Sequence, residues 1–144
     1  MEFKRATDLI TAFSGIDSQN YESFFRVSET NKIVSIEIHA MGNENTNAQF
    51  SSKWEIWKQT NIFLKLLMAD GCEAVSGVIS YNTGDFSETC LLELKCILSE
   101  LYNLQTLDPI EVGILLKEIQ PGLSDLSRSS IDIALWDLAA KRAD

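Results

Sequence analysis

The stretch Ile131–Ala140, IDIALWDLAA, constrains the fold of this chain more than any other ten residues in it. Eight of the ten are apolar, and the run reads as helix. Its two polar exceptions, Asp132 and Asp137, stand five residues apart, about 140° around a helix that turns 100° per residue. No single polar face results. A helix that is apolar around most of its girth is buried around most of its girth. The rest of the chain must therefore wrap its own last helix, or leave part of it for something else to cover.

The upstream sequence supplies candidates for that wrapping. Val34, Ile36 and Ile38 alternate with Ser35, Glu37 and His39, the period of two of a half-buried strand. A second run from Asn61 to Met68 places Ile62, Leu64, Leu66 and Met68 on one face, with Lys65 opposite. Asp70-Gly71 is a strong hairpin signal, and Glu73–Ser80 reads as the return strand. A three-stranded antiparallel sheet is predicted. The segment Met41–Thr60, between the first two strands, is too long for a plain turn and is expected to be a loop. Its first half, GNENTNAQFSS, is polar, and its second half sets Trp54 and Trp57 on a helical turn.

Helices are predicted after the sheet. Asp85 and Glu88 have capping-box spacing ahead of the stripe Leu91, Leu94, Ile97, Leu98 and Leu101. Asp108-Pro109-Ile110-Glu111 combines an N-cap, a proline at the first helical position and an acid in the first turn. That helix should stop at Pro121-Gly122, and Ser124 or Ser127 can open the last one. The order predicts an α+β fold, a three-stranded antiparallel sheet followed by a three-helix bundle on one of its faces. Residues 1–31 form an N-terminal extension, in which Phe3, Ala6, Leu9, Ile10 and Phe13 have helical spacing and Phe24–Val27 suits a short strand.

Charge and cysteine usage narrow the function. A formal net charge of −9 disfavours nucleic acid and anionic membrane surfaces, which are held by Lys and Arg. No apolar run approaches the ~18 residues of a membrane span, and Met1–Phe13 lacks the continuous apolar core of a leader. Cys72, Cys90 and Cys96 are odd in number and lack C-x-x-C spacing, so reduced thiols in the cytoplasm are expected.

The strand-strand-strand-helix order, ending in Ile131-Asp132-Ile133-Ala134-Leu135-Trp136-Asp137-Leu138-Ala139-Ala140-Lys141, resembles the N-terminal capping domain of the enolase superfamily. The nearest branch resembled is that of mandelate racemase and muconate lactonising enzymes. The likeness spans Lys32–Lys141, with residues 32–144 as the domain. One departure is Ala74-Val75-Ser76-Gly77, where the family has a Gly-x-Gly-Glu pattern. The resemblance implies a lid on a (β/α) barrel, and such a barrel needs roughly 200 residues or more. Only three residues follow Lys141. The full-length parent it implies is an enzyme that uses Mg²⁺ to abstract a proton next to a carboxylate of a small organic acid. This chain alone is expected to be inactive.

The same resemblance makes two segments substrate-selecting loops, Met41–Thr60 and Tyr81–Ser87. Met41, Asn43, Trp54, Tyr81 and Asn82 are its candidate contacts. Ile131, Leu135, Trp136 and Leu138 are the candidate domain-interface residues on the last helix. An alternative is a stand-alone, non-catalytic interaction module that buries this helix in a dimer or against a partner. His39, the sole histidine, can pair with Glu37 on its own strand face, which is too few groups for a metal site. Asp132 and Asp137 are too far apart in angle to act as a carboxylate pair. Gly71, Gly77 and Gly84 do not have phosphate-loop spacing.

Overall fold

Ile62, Leu64, Leu66 and Met68 are all buried, as their alternation requires, and they form the floor of the core. The computed structural model describes the backbone of residues 25–50, 55–81 and 84–143, and the side chains of 25–41, 61–77 and 89–142. Within it, β1 (Ile33–Phe50), β2 (Glu55–Met68) and β3 (Glu73–Tyr81) form one antiparallel sheet in the order β1-β2-β3. Four helices follow: α1 (Gly84–Cys96), α2 (Leu98–Tyr102), α3 (Pro109–Ile119) and α4 (Asp125–Ala143). The fold is α+β, with helices α1 and α4 packed on the sheet and α3 on α4.

Three local departures from the sequence reading have physical causes. Val34 was expected beside Ile36 on the core face, but the register slips between Ile33 and Ser35, so β1 carries an extra residue there. The slip turns Ile33 inward and leaves Val34 47% exposed. The segment Met41–Thr60, expected as a loop, is mostly strand. Pairing runs from Met41↔Asn61 out to Phe50↔Glu55, with a second irregularity between Glu44 and Gln49. Polar strands of this kind give no apolar alternation to read. The expected single helix from Asp85 to Leu101 is interrupted at Ile97, although Leu101 N still donates to Ile97 O at 3.0 Å.

The turn between β2 and β3 follows its signal. Gly71 has φ +88°, a left-handed conformation that glycine adopts without a Cβ clash. Asp70 Oδ1 accepts from Cys72 N at 3.0 Å and closes the turn from its side chain. The outer edge of β1 meets α2, where Ile36 N–H donates to Tyr102 Oη at 3.0 Å. Phe25 is buried, and Leu107 N donates to Phe25 O at 2.7 Å, which ties residues 25–27 to the segment before α3.

Asp108 is the N-cap of α3, accepting from Ile110 N at 2.9 Å and Glu111 N at 3.2 Å, with Pro109 in the first turn. Asp108→Ala is expected to lower the unfolding free energy by about 1 kcal/mol. Urea denaturation checks this, and an unchanged midpoint would deny the cap any part in stability.

Candidate functional site

The last helix is fastened to the sheet by polar contacts at one side. Asp137 Oδ2 accepts from Val75 N on β3 at 2.8 Å and from Lys141 Nζ at 2.8 Å. Lys141 Nζ also donates to Glu73 O at 2.6 Å, and Arg142 pairs with Asp70 at 2.8 Å. About two turns earlier on the helix, Ser130 Oγ lies 3.3 Å from Ser76 Oγ of β3, and both serines are buried. Ser76 stands in the stretch that departs from the family pattern. Its neighbour Gly77 lies under the Phe63 ring, which a Cβ there would meet at 3.4 Å.

The two aspartates of α4 have different surroundings. Burial raises the Asp137 carboxyl, but the Lys141 and Val75 bonds outweigh it and hold the group below the ordinary aspartate value. Burial raises Asp132 above that value, and a hydrogen bond from the Trp136 side chain only partly offsets it. They form no shared site, in keeping with their angular separation.

Ile131, Leu135 and Leu138 are buried in the chain's own core, since steps of four and three residues keep them on one helix face. Trp136 is half-buried. Ile133 is 42% exposed, and Ala140 is exposed. Residues 133, 136 and 140 share the opposite face, so the more exposed apolar stripe of α4 runs along them. Among the described residues, the chain covers one side of the helix more fully than the other.

The sheet brings some of the candidate contact residues together. Met41 pairs with Asn61, which pairs with Ile79, and two residues on Asn43 pairs with Gln59, which pairs with Tyr81. Positions 41, 43 and 81 thus fall in neighbouring rows at the same end of the sheet. Met41 is 63% exposed. The side chains of Asn43 and Tyr81, and the whole of Trp54 and Asn82, lie outside the described residues, as do residues 1–24 of the proposed extension. Among the described residues, the β1–β2 hairpin beyond Gln59 has no partner row on β3.

His39 Nε2 lies 3.1 Å from Glu37 Oε2, and both groups are exposed. The His39 bond, with help from the Lys65 charge, holds Glu37 below the ordinary glutamate value. Among the described residues no three His, Cys, Asp or Glu side chains come together as a metal site. The described residues therefore offer no ligand set for the Mg²⁺ of the resemblance. Cys72, Cys90 and Cys96 are free thiols. Among the described residues no helix is long and apolar enough to cross a membrane.

One structural residue escaped the sequence reading. Glu93 of α1 accepts from Ser124 N at 3.2 Å, from Ser124 Oγ at 2.6 Å and from Ser127 Oγ at the start of α4. Ser124 Oγ in turn accepts from Ser127 N at 3.4 Å. The serine spacing was legible as a cap. The acid that completes it comes from 31 positions upstream, and no local pattern marks it.

No protein-family profile and no curated protein sequence matches the chain. Solved structures do. An enolase from alpha-proteobacterium bal199 with bound Mg matches at TM-score 0.64 and 18% identity, over 79% of this chain and 32% of that one. A mandelate racemase/muconate lactonizing protein from Herpetosiphon aurantiacus matches at TM-score 0.63 and 15% identity, over 81% and 33%. The chain has the fold of one part of these structures. L-talarate dehydratase from Polaromonas, complexed with Mg and L-glucarate, shares this fold at TM-score 0.60 and 21% identity, over 78% and 33%. The chain spans about a third of the length of each of these structures.

Proposed function

We propose that this chain is the lid and substrate-selecting part of a larger protein of the mandelate racemase and muconate lactonising type. In this reading a (β/α) barrel carries the Mg²⁺ and the acid–base groups, and the whole abstracts a proton next to the carboxylate of a small organic acid. The observation that carries the reading is the stripe of exposed Ile133 and Ala140 with partly buried Trp136 between them, on a helix whose other side is already full. A folded domain leaves such a stripe where another surface meets it. The hairpin beyond Gln59 supports the reading too, because a two-stranded ribbon is marginal in water without something to pack on.

The residues then divide by task. Asp137, Lys141 and Arg142 fix α4 to the sheet, so that Trp136 stands at the seam with the barrel. Met41, Asn43 and Tyr81, at one end of the sheet, contact the substrate together with Trp54 and Asn82. Closure of that end excludes water from the reacting acid. A dimer that buries the same stripe is the competing reading, with no enzyme involved.

The deciding measurement is the intact mass of the protein purified from its own cells, together with whatever copurifies. A mass far above 16.1 kDa, or a tightly bound barrel protein, is the expected result. A homodimer of 16.1 kDa chains with no barrel protein attached overturns the lid reading. The 144-residue chain alone, given Mg²⁺ and carboxylic acids, is expected to show no solvent deuterium exchange above the metal-only background.

A further inference from the structure

A groove of about 350 Å³ runs between α3 and α4. Val112, Leu116, Ile131 and Leu135 are buried in its floor, and Ile114, 49% exposed, stands on its rim. It begins at Pro109 and Ile110, in the first turn of α3.

Residues 25–27 lead the chain to that end of the groove. Arg26 and Thr106 form an antiparallel bridge. Beside it, Val27 N–H donates to Gln105 O at 3.3 Å, and Leu107 N–H donates to Phe25 O at 2.7 Å. Followed backwards from Val27 to Phe25, the chain runs alongside Gln105 to Leu107 and so heads for Asp108 and Pro109. Phe25 is buried, which anchors this end. The 24 residues before it lie outside the described residues. Their sequence holds Phe3, Ala6, Ile10 and Phe13, spaced i, i+3, i+7 and i+10, with Leu9 beside them. That is the spacing of an amphipathic helix laid into an apolar groove. Phe3–Phe13 counts eleven residues, as does α3, so as a helix it matches the length of the groove wall, about 16 Å. Residues 14–24 reach ~36 Å when extended, enough to bring that stripe from Phe25 to either end of the groove.

We propose that residues 3–13 of this chain dock as an amphipathic helix in the α3–α4 groove, with Phe3, Ile10 and Phe13 laid on Val112, Leu116 and Leu135. The tether favours this occupant. A segment held at Phe25 faces the groove at an effective concentration on the order of millimolar, which a free partner rarely reaches. The domain's own core then begins at Phe3, well before the Lys32 at which the resemblance to the capping domain starts. The proposal does not rest on the lid reading, since none of Ile133, Trp136 and Ala140 lines the groove.

The test is nuclear magnetic resonance of the full chain, with the Ile, Leu and Val methyl groups labelled. Through-space contacts are expected from the Phe3 and Phe13 rings to the methyls of Val112, Leu116 and Leu135. The amides of Thr7–Phe13 should exchange at least about tenfold more slowly than in a free peptide of residues 1–24. Gly113 lines the groove, and a Cβ built on it meets nothing within 4 Å. Gly113→Glu thus sets a charge in the path of the segment without disturbing the floor. It should erase both signals and leave the methyl shifts of Leu64 and Leu66 in place. Exchange of Thr7–Phe13 at the peptide rate overturns the proposal, as do contacts to Ile133 and Trp136 instead, or contacts undiminished in Gly113→Glu. Contacts that a mixture of labelled and unlabelled chains shows to run between two copies assign the groove to a second molecule and likewise overturn it.

Discussion

Leu64→Ala lowers the free energy of unfolding by about 2–5 kcal/mol, the largest effect expected of any single truncation here. Leu64 is fully buried at the middle of β2, between Ile62 and Leu66 on the face that the helices cover. Shortening it removes transfer energy and leaves a cavity that a paired strand on each side cannot collapse to fill. A domain of this size is stable by roughly 5–15 kcal/mol, so a large share of the margin goes. The matching control is Val75→Ala on β3. Val75 is 42% exposed, and its substitution should cost within about 0.5 kcal/mol. Urea denaturation reads both. Equal midpoints for the two variants would mean that the sheet face under the helices is not the core.

Glu93→Gln is expected to cost about 2–3 kcal/mol near neutral pH, because an ionised acceptor of several hydrogen bonds is replaced by an amide that must turn one end away from them. Ser127, one of the donors, is fully buried and has no water to turn to. The loss should depend on pH in a definite direction. Burial pushes the Glu93 carboxyl up, but the bonds from Ser124 and Ser127 outweigh it, so the folded group titrates below the ordinary glutamate value of 4.5. A carboxylate with a depressed folded value stabilises the fold fully above its unfolded value and loses that contribution as pH falls through the folded one. The gap between the native protein and Glu93→Gln should therefore be constant above pH 4.5 and narrow below it. Comparing the two proteins removes the background from Asp70 and Asp137, which titrate in the same direction. A gap that widens in acid would reverse the assignment.

The strands of the core were legible because burial on one face writes itself into the sequence. Ile62, Leu64, Leu66 and Met68 stand at every second position, and all four are buried in the sheet. The caps at Asp108 and Ser124 were legible for the same local reason, a short polar residue just before an apolar run. What could not be read was set by pairing at a distance. The bulge at Val34 depends on the partner strand, not on any residue nearby. The polar reach of β1 past Met41 has no alternation to betray it. Glu93 joins its helix cap across 31 positions. The last helix was legible as buried, but not which side its own chain would cover. That depended on the sheet edge, where the β3 amide of Val75 claims Asp137. Of the candidate contacts, the register brings Met41, Asn43 and Tyr81 to one end of the sheet, a grouping invisible from their positions in the chain.

The contact between Tyr102 and Ile36 bears on how copies of this chain coexist in a crowded solution. β1 is an outer strand, and a bare outer strand is a template on which a second molecule can lay its own and begin a growing stack. The phenol of Tyr102 already occupies the Ile36 amide, one of the hydrogen-bond donors such an intruder would require. A side chain from a helix of five residues thus blocks one rung against a fibril-forming neighbour, close to the Val34 bulge that already bends the same stretch of edge.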